Sequence, residues 1–187
     1  MKKYTYSILL LAALCVCLLY DTAQLFRITL ICAAIHEAAH IFVYAVITRH
    51  LPKLVFKPSA IELNRTFALS KYQDIAVTLA GPLTNFATAL FAYAMLSKSA
   101  SYTLYFLCAI SLCIGAYNLL PIGVLDGARL IKVLLPAKQI YLFYKIETAT
   151  IYILCTAVSL TAAFAPLKPF PRAAMLVSCA YILYTRH

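Results

Sequence analysis

The sequence predicts an all-α polytopic membrane protein of about six transmembrane helices, with a small cytoplasmic-side β-hairpin or re-entrant segment near 51–67. Three observations lead there. Of 187 residues, 64% are hydrophobic and only 12% are charged, whereas soluble domains run nearer half and a quarter. A soluble core of this size could not hide so much apolar surface. The apolar residues gather into six runs, and the charges gather between them. The length fits one membrane domain over 1–187.

The runs cover roughly 4–20, 28–48, 75–97, 101–121, 148–165 and 170–185, against about 20 residues needed to cross a bilayer. The first follows Lys2 and Lys3, as a secretory signal would. No small-x-small cleavage site precedes Asp21, so it is read as a span. The sixth is short between Arg172 and Arg186; it either spans with little tilt, snorkels its flanks or fails to cross. Between the second and third runs, Leu54-Val55-Phe56 and Ala60-Ile61-Glu62-Leu63 are strand-like pieces broken by Pro52 and Pro58. They read either as a hairpin on the cytoplasmic side or as a basic surface loop.

Charge sets the expected orientation. With the N-terminus inside and alternating spans, 12 of the 16 Lys and Arg residues lie inside and 4 outside. The positive-inside rule therefore predicts a multi-pass cell-membrane protein with both termini cytoplasmic. The net charge of +10 faces lipid headgroups and water. No nucleic-acid motif or basic stripe with stacking aromatics is present, and no nucleic-acid partner is expected. Seven Cys, all in apolar runs and none in a C-x-x-C pair, read as small buried hydrophobes.

His36-Glu37-Ala38-Ala39-His40 lies within the second run. Residues four apart share a helix face, so both imidazoles can reach one metal ion. Glu37 then sits beside that ion, where it can take a proton from water. Ionisable residues in an apolar span cost about 2–3 kcal/mol each if they face lipid. They must therefore face protein or a wet cavity. A structural polar cluster that pairs helices is the bland alternative.

A catalytic zinc takes three protein ligands and keeps one open position. His50 and His187 lie near membrane edges. Asp21, Glu62 and Asp74 fall in or beside loops, and Glu147, with Lys145 nearby, is expected at the interface. Asp126 remains. It ends the run Asn118-Leu-Leu-Pro121-Ile-Gly123-Val-Leu-Asp126-Gly127, where Pro121 and two glycines break the helix. Broken backbone at membrane depth survives only when buried in protein or lining a cavity. Asp126 reads as a metal ligand there in preference to a helix cap. With the N-terminus inside, both sets fall in the inner half of the bilayer. Gly81-Pro82-Leu83-Thr84-Asn85, early in the third run, allows close helix approach at Gly81. Its Asn85 amide either steadies a substrate or oxyanion, or serves helix packing.

These residues resemble the site-2 protease family of intramembrane metalloproteases, and look most like its short bacterial, sporulation-type members. His36-Glu37-x-x-His40 matches the family's first motif, and Asn118-x-x-Pro121-x-x-x-Leu125-Asp126-Gly127 the second. Gly81-x-x-x-Asn85 is similar to a third, weaker one. The resemblance covers about 28 to 135. It implies one zinc ion held by His36, His40 and Asp126, with Glu37 as the catalytic base. It also implies Asn118 and Asn85 near the site as substrate, oxyanion or supporting residues. Val124 stands where many members have a second Pro, and Ala128 where many have a second Gly, which bears on the loop geometry. The PDZ and CBS domains of many members are not seen, so substrate presentation differs or uses a regulatory membrane partner.

The expected activity is hydrolysis of peptide bonds in or near transmembrane segments of membrane-protein substrates within the lipid bilayer. A membrane zinc-binding or transport protein would use the same ligands without Glu37, and the outer halves of the spans offer almost no polar path for it. A catalytically inactive helix-binding homologue would not need the full ligand set and base.

Overall fold

The computed structural model of the chain describes residues 18–164 apart from positions 20, 23, 58, 59, 65, 66 and 124, together with Leu176 and Cys179. The expected first and sixth spans, 4–20 and 170–185, fall almost wholly outside the described residues. The described elements are α1 (Leu25–Thr48), β1 (Lys53–Lys57), β2 (Ala60–Asn64), α2 (Lys71–Leu96), α3 (Tyr102–Asn118), α4 (Asp126–Leu134) and α5 (Ile140–Phe164). A short 3-10 turn, Ala137–Gln139, precedes α5. The chain divides into two compact units, Met1–Leu119 and Leu120–His187.

In the first unit α1, α2 and α3 pack on one another. The Asp21 carboxylate caps the start of α1, accepting the N–H of Phe26 at 3.1 Å and of Arg27 at 2.9 Å. These are two of the donors that a helix start leaves without partners. Helix α1 stops where Arg49 turns to φ 57° and returns its N–H to the Ala45 carbonyl at 2.8 Å. Helix α2 opens on a capping box. Ser70 Oγ accepts from the Gln73 N–H, and Gln73 Oε1 accepts from the Ser70 N–H at 2.9 Å. Strands β1 and β2 pair antiparallel, from Lys53 opposite Asn64 to Lys57 opposite Ala60.

The buried face of α1 is a strict four-residue stripe: Ile28, Cys32, His36, His40 and Tyr44. Each polar member of it has a partner. Cys32 Sγ lies 3.2 Å from Ser111 Oγ on α3, and Tyr44 Oη accepts from the Phe67 N–H at 3.3 Å. On α2 the buried set is mostly small: Ala80, Gly81, Ala89 and Ala92, with Val77, Thr78, Pro82 and Asn85. Small side chains let helix backbones approach closely, the usual basis of helix packing where water supplies no driving force.

In the second unit α4 packs on α5, with the Lys132 ammonium 4.6 Å from the Phe143 ring centroid. Helix α5 also buries a four-residue stripe, Phe143, Glu147, Ile151 and Cys155. Ile151 and Cys155 cluster with Cys179, and Ile122 and Val158 pack against them. The apolar run at 148–165 understates this helix, which begins at Ile140. Tyr141, Tyr144, Lys145 and Glu147 interrupt the hydropathy but not the helix.

Helices α1, α2 and α5 are long and apolar enough to cross a membrane. Helix α3 is apolar but has 17 residues, which at about 1.5 Å per residue is just short of a typical hydrocarbon core.

Candidate metal centre

His36 and His40 lie one turn apart on α1, both buried, and their rings meet edge to face. Their Nε2 atoms are 3.2 Å apart. Two tetrahedral zinc–imidazole bonds of about 2.0–2.1 Å would set the two nitrogens about 3.3–3.4 Å apart. The pair therefore fits a shared ion without rearrangement.

Helix α2 sets the protonation of both rings. His40 Nδ1 lies 2.7 Å from the Val77 carbonyl. A carbonyl only accepts, so Nδ1 carries the proton and the Nε2 lone pair is left for a metal. His36 Nδ1 lies 3.1 Å from Asn85 Nδ2, while Asn85 Oδ1 is buried with no hydrogen-bond partner among the described residues. The two ends of an amide are nearly isosteric, and the network decides which faces which. Turning the Asn85 amide over lets its oxygen accept from His36 Nδ1–H. That leaves the His36 Nε2 lone pair facing that of His40. Such partners on the far ring nitrogen are typical of metal-binding histidines.

Gly81 completes the pocket. A Cβ there would lie 2.7 Å from His36 Cε1 and Nε2, and closer still to His40 Nε2. Only glycine lets the α2 backbone lie against the Nε2 edges of both rings. The sequence marked Gly81 as a site of helix approach; the structure makes the two histidines what it approaches. The Val77 carbonyl left no trace in the sequence, because a backbone group carries no residue signature.

The other candidate residues are placed as follows. Glu37 follows His36 on α1 and is half-buried. Asn118 ends α3, and its amide nitrogen donates to the Ile114 carbonyl of the same helix at 3.0 Å. Asp126 is the first residue of α4, with Leu125 as the N-cap, so it does not occupy the capping position itself. Ala128 is fully buried, and Val124 lies outside the described residues. His50 stacks on Phe67 with ring centroids 4.9 Å apart. Glu147 is buried against the protein, a feature its expected place at the interface did not foresee, and its Oε1 accepts the Gly123 N–H at 2.7 Å. Its spacing from Phe143 and Ile151 on one helix face was the signal that could have found it.

Comparison with known proteins agrees with this picture. The family model for peptidase family M50 matches residues 94–160, a stretch that contains the Asn118–Gly127 segment. Among solved structures the chain is similar to a site-2 protease from Methanocaldococcus jannaschii, at 19% identity and a TM-score of 0.61. That match covers 97% of this chain and 85% of the other. No curated protein matches in sequence. The family-model match over residues 94–160, the shared fold and the membrane-length helices support the resemblance of the chain to the site-2 protease family.

Proposed function

We propose that this chain is an intramembrane zinc endopeptidase, a single membrane-embedded domain that hydrolyses peptide bonds in or near transmembrane segments of membrane-protein substrates. The observation that carries the reading is the pair of His Nε2 atoms 3.2 Å apart on a membrane-length apolar helix, with Glu37 between them in sequence. The family-model match over residues 94–160 and the likeness to a solved site-2 protease support it.

In this reading His36, His40 and Asp126 would hold one zinc ion. The metal supplies Lewis acidity toward the scissile carbonyl and acidifies water. The chain's residues do the rest. Val77 and Asn85 fix the imidazole tautomers, and Gly81 gives the rings room. Glu37 takes a proton from the attacking water and later delivers one to the leaving amide nitrogen. The carbonyl carbon gains the water oxygen as its bond to nitrogen breaks. Asn85 and Asn118 serve as supporting or substrate-facing amides. Substrate helices hide their carbonyls in hydrogen bonds, so they must unwind locally. The 53–64 hairpin is suited to this by pairing with an extended segment. The full domain has six spans, with both termini and the hairpin on the cytoplasmic side. A regulatory membrane partner presents or withholds substrate.

The test is a paired measurement of zinc content and cleavage on the same preparations, with a panel of single-span membrane proteins co-expressed as substrates. Glu37→Gln keeps zinc, at about one ion per chain, and loses cleavage by about 100- to 10,000-fold. Asp126→Ala, or His36→Ala with His40→Ala, loses both zinc and cleavage. Cleavage by Glu37→Gln at the wild-type rate would refute the mechanism.

A further inference from the structure

Helix α5 places one carboxylate in an otherwise apolar buried stripe, Phe143, Glu147, Ile151 and Cys155. A buried acid is costly unless it binds something that needs it. Glu147 Oε1 accepts the Gly123 N–H at 2.7 Å. Gly123 has φ +56°, and a Cβ built there would meet nothing within 4 Å. The glycine is therefore required by backbone conformation and not by space. It belongs to a chain of tight turns, with the Ile122 N–H on the Leu120 carbonyl at 2.9 Å and the Leu125 N–H on the Ile122 carbonyl at 3.1 Å. That turn opens α4, whose first residue is Asp126. One and two turns further along α5, Ile151 and Cys155 form with Cys179 the cluster against which Ile122 packs. The segment before Asp126 is thus pinned twice to one face of α5, by an apolar side chain at Ile122 and by a carboxylate at Gly123.

We propose that Glu147 is a positioning residue for Asp126: by holding the Gly123 N–H it fixes the turn that aims the Asp126 carboxylate, and so sets the protein's zinc affinity. This rests on the reading of Asp126 as a zinc ligand. Asp126 projects from the first turn of α4, where the backbone has no ladder on its N-terminal side to hold it. The residues before it contribute to its aim. Glu147 supplies a hydrogen bond to that backbone, and groups that orient a metal ligand are typically worth about 10- to 100-fold in metal affinity.

The experiment measures zinc affinity of the full chain in detergent by competition with a chromophoric chelator. Helix content is followed by circular dichroism on the same samples. Glu147→Gln keeps the volume and an acceptor oxygen and is expected within about threefold of wild type. Glu147→Met keeps the volume without the acceptor and is expected to bind zinc about 10- to 100-fold more weakly. In an Asp126→Ala background Glu147→Met should cost nothing further, because the two act through one ligand. A residue that only stabilises the fold would lower affinity in both backgrounds, and that result overturns the proposal. So does equal weakening by Gln and Met, or wild-type affinity in Met. If Met fails to fold, the proposal stands or falls on Gln, and more than tenfold weakening there overturns it. If Asp126→Ala itself binds zinc like wild type, the ligand reading fails, and that outcome is separable from a failure at Glu147.

Discussion

Replacing Gly81 with alanine adds one methyl group, and its effect can be worked from the distances around it. The new Cβ would lie 2.7 Å from His36 Nε2 and Cε1, and nearer to His40 Nε2. Relief to an ordinary contact of about 3.4 Å needs a shift of about 0.7 Å at His36 and more at His40. Zinc sites tolerate about ±0.2 Å in ligand distance, so both ligands leave the range in which they can share an ion. If α2 retreats instead, it carries away Val77 and Asn85, which hold the far nitrogens of the same two rings. Either relaxation disorders the site. Propensity acts the other way, since alanine is favoured over glycine in a helix interior by about 1 kcal/mol. Gly81→Ala should therefore keep its helix content while zinc affinity falls at least about 100-fold, or roughly 2.7 kcal/mol. Chelator competition on detergent-purified protein measures the affinity, with circular dichroism as the control. Zinc binding within threefold of wild type by a folded Gly81→Ala protein would refute the proposed placement of the ion between the two rings.

Three further outcomes are expected. Asn85→Ala removes the partner of His36 Nδ1 and should weaken zinc binding about 10- to 100-fold, whereas Asn85→Asp, which still accepts from that nitrogen, should largely restore it; equal affinity in Ala and wild type would show that the amide does not orient the ring. At Asp21 desolvation pulls the pKa upward, but the Arg27 and Phe26 N–H bonds and the Arg27 charge outweigh it and hold the carboxyl below its ordinary value. Because the folded pKa is depressed, the stabilisation of the first turn of α1 is complete above the ordinary carboxylate pKa and is lost as pH falls through the lower folded value. Protection of the Phe26 and Arg27 amides from exchange, relative to the intrinsic rate at each pH, should drop over that acidic window in wild type and show no such step in Asp21→Asn. For topology, reporter fusions after Arg129 and after His187 should both be active on the cytoplasmic side, and activity confined to the outside at Arg129 would overturn the orientation.

The sequence by itself determined the class of molecule and the candidate site residues. Apolar runs of spanning length leave no alternative to helices in a bilayer, since every backbone polar group must be satisfied internally. The i, i+4 spacing of His36 and His40 dictates a common face wherever α1 is a helix, and the buried stripe of α1 bears that out. Helix α5 was legible only in part, because Tyr141, Tyr144, Lys145 and Glu147 lower the hydropathy where the helix continues to Ile140. Glu147 was read as interfacial from its neighbour Lys145; charge along the chain says nothing about which face of a helix turns inward. Tertiary structure alone decided how the imidazoles are held. The Val77 carbonyl, the Asn85 amide and the missing side chain of Gly81 act on His36 and His40 from another helix, 37 to 49 residues away in sequence for the two hydrogen bonds. Ligand identity is written in the residues that donate lone pairs. Tautomer and room for an ion come from the neighbouring backbone, which a sequence specifies only through the packing of α1 against α2.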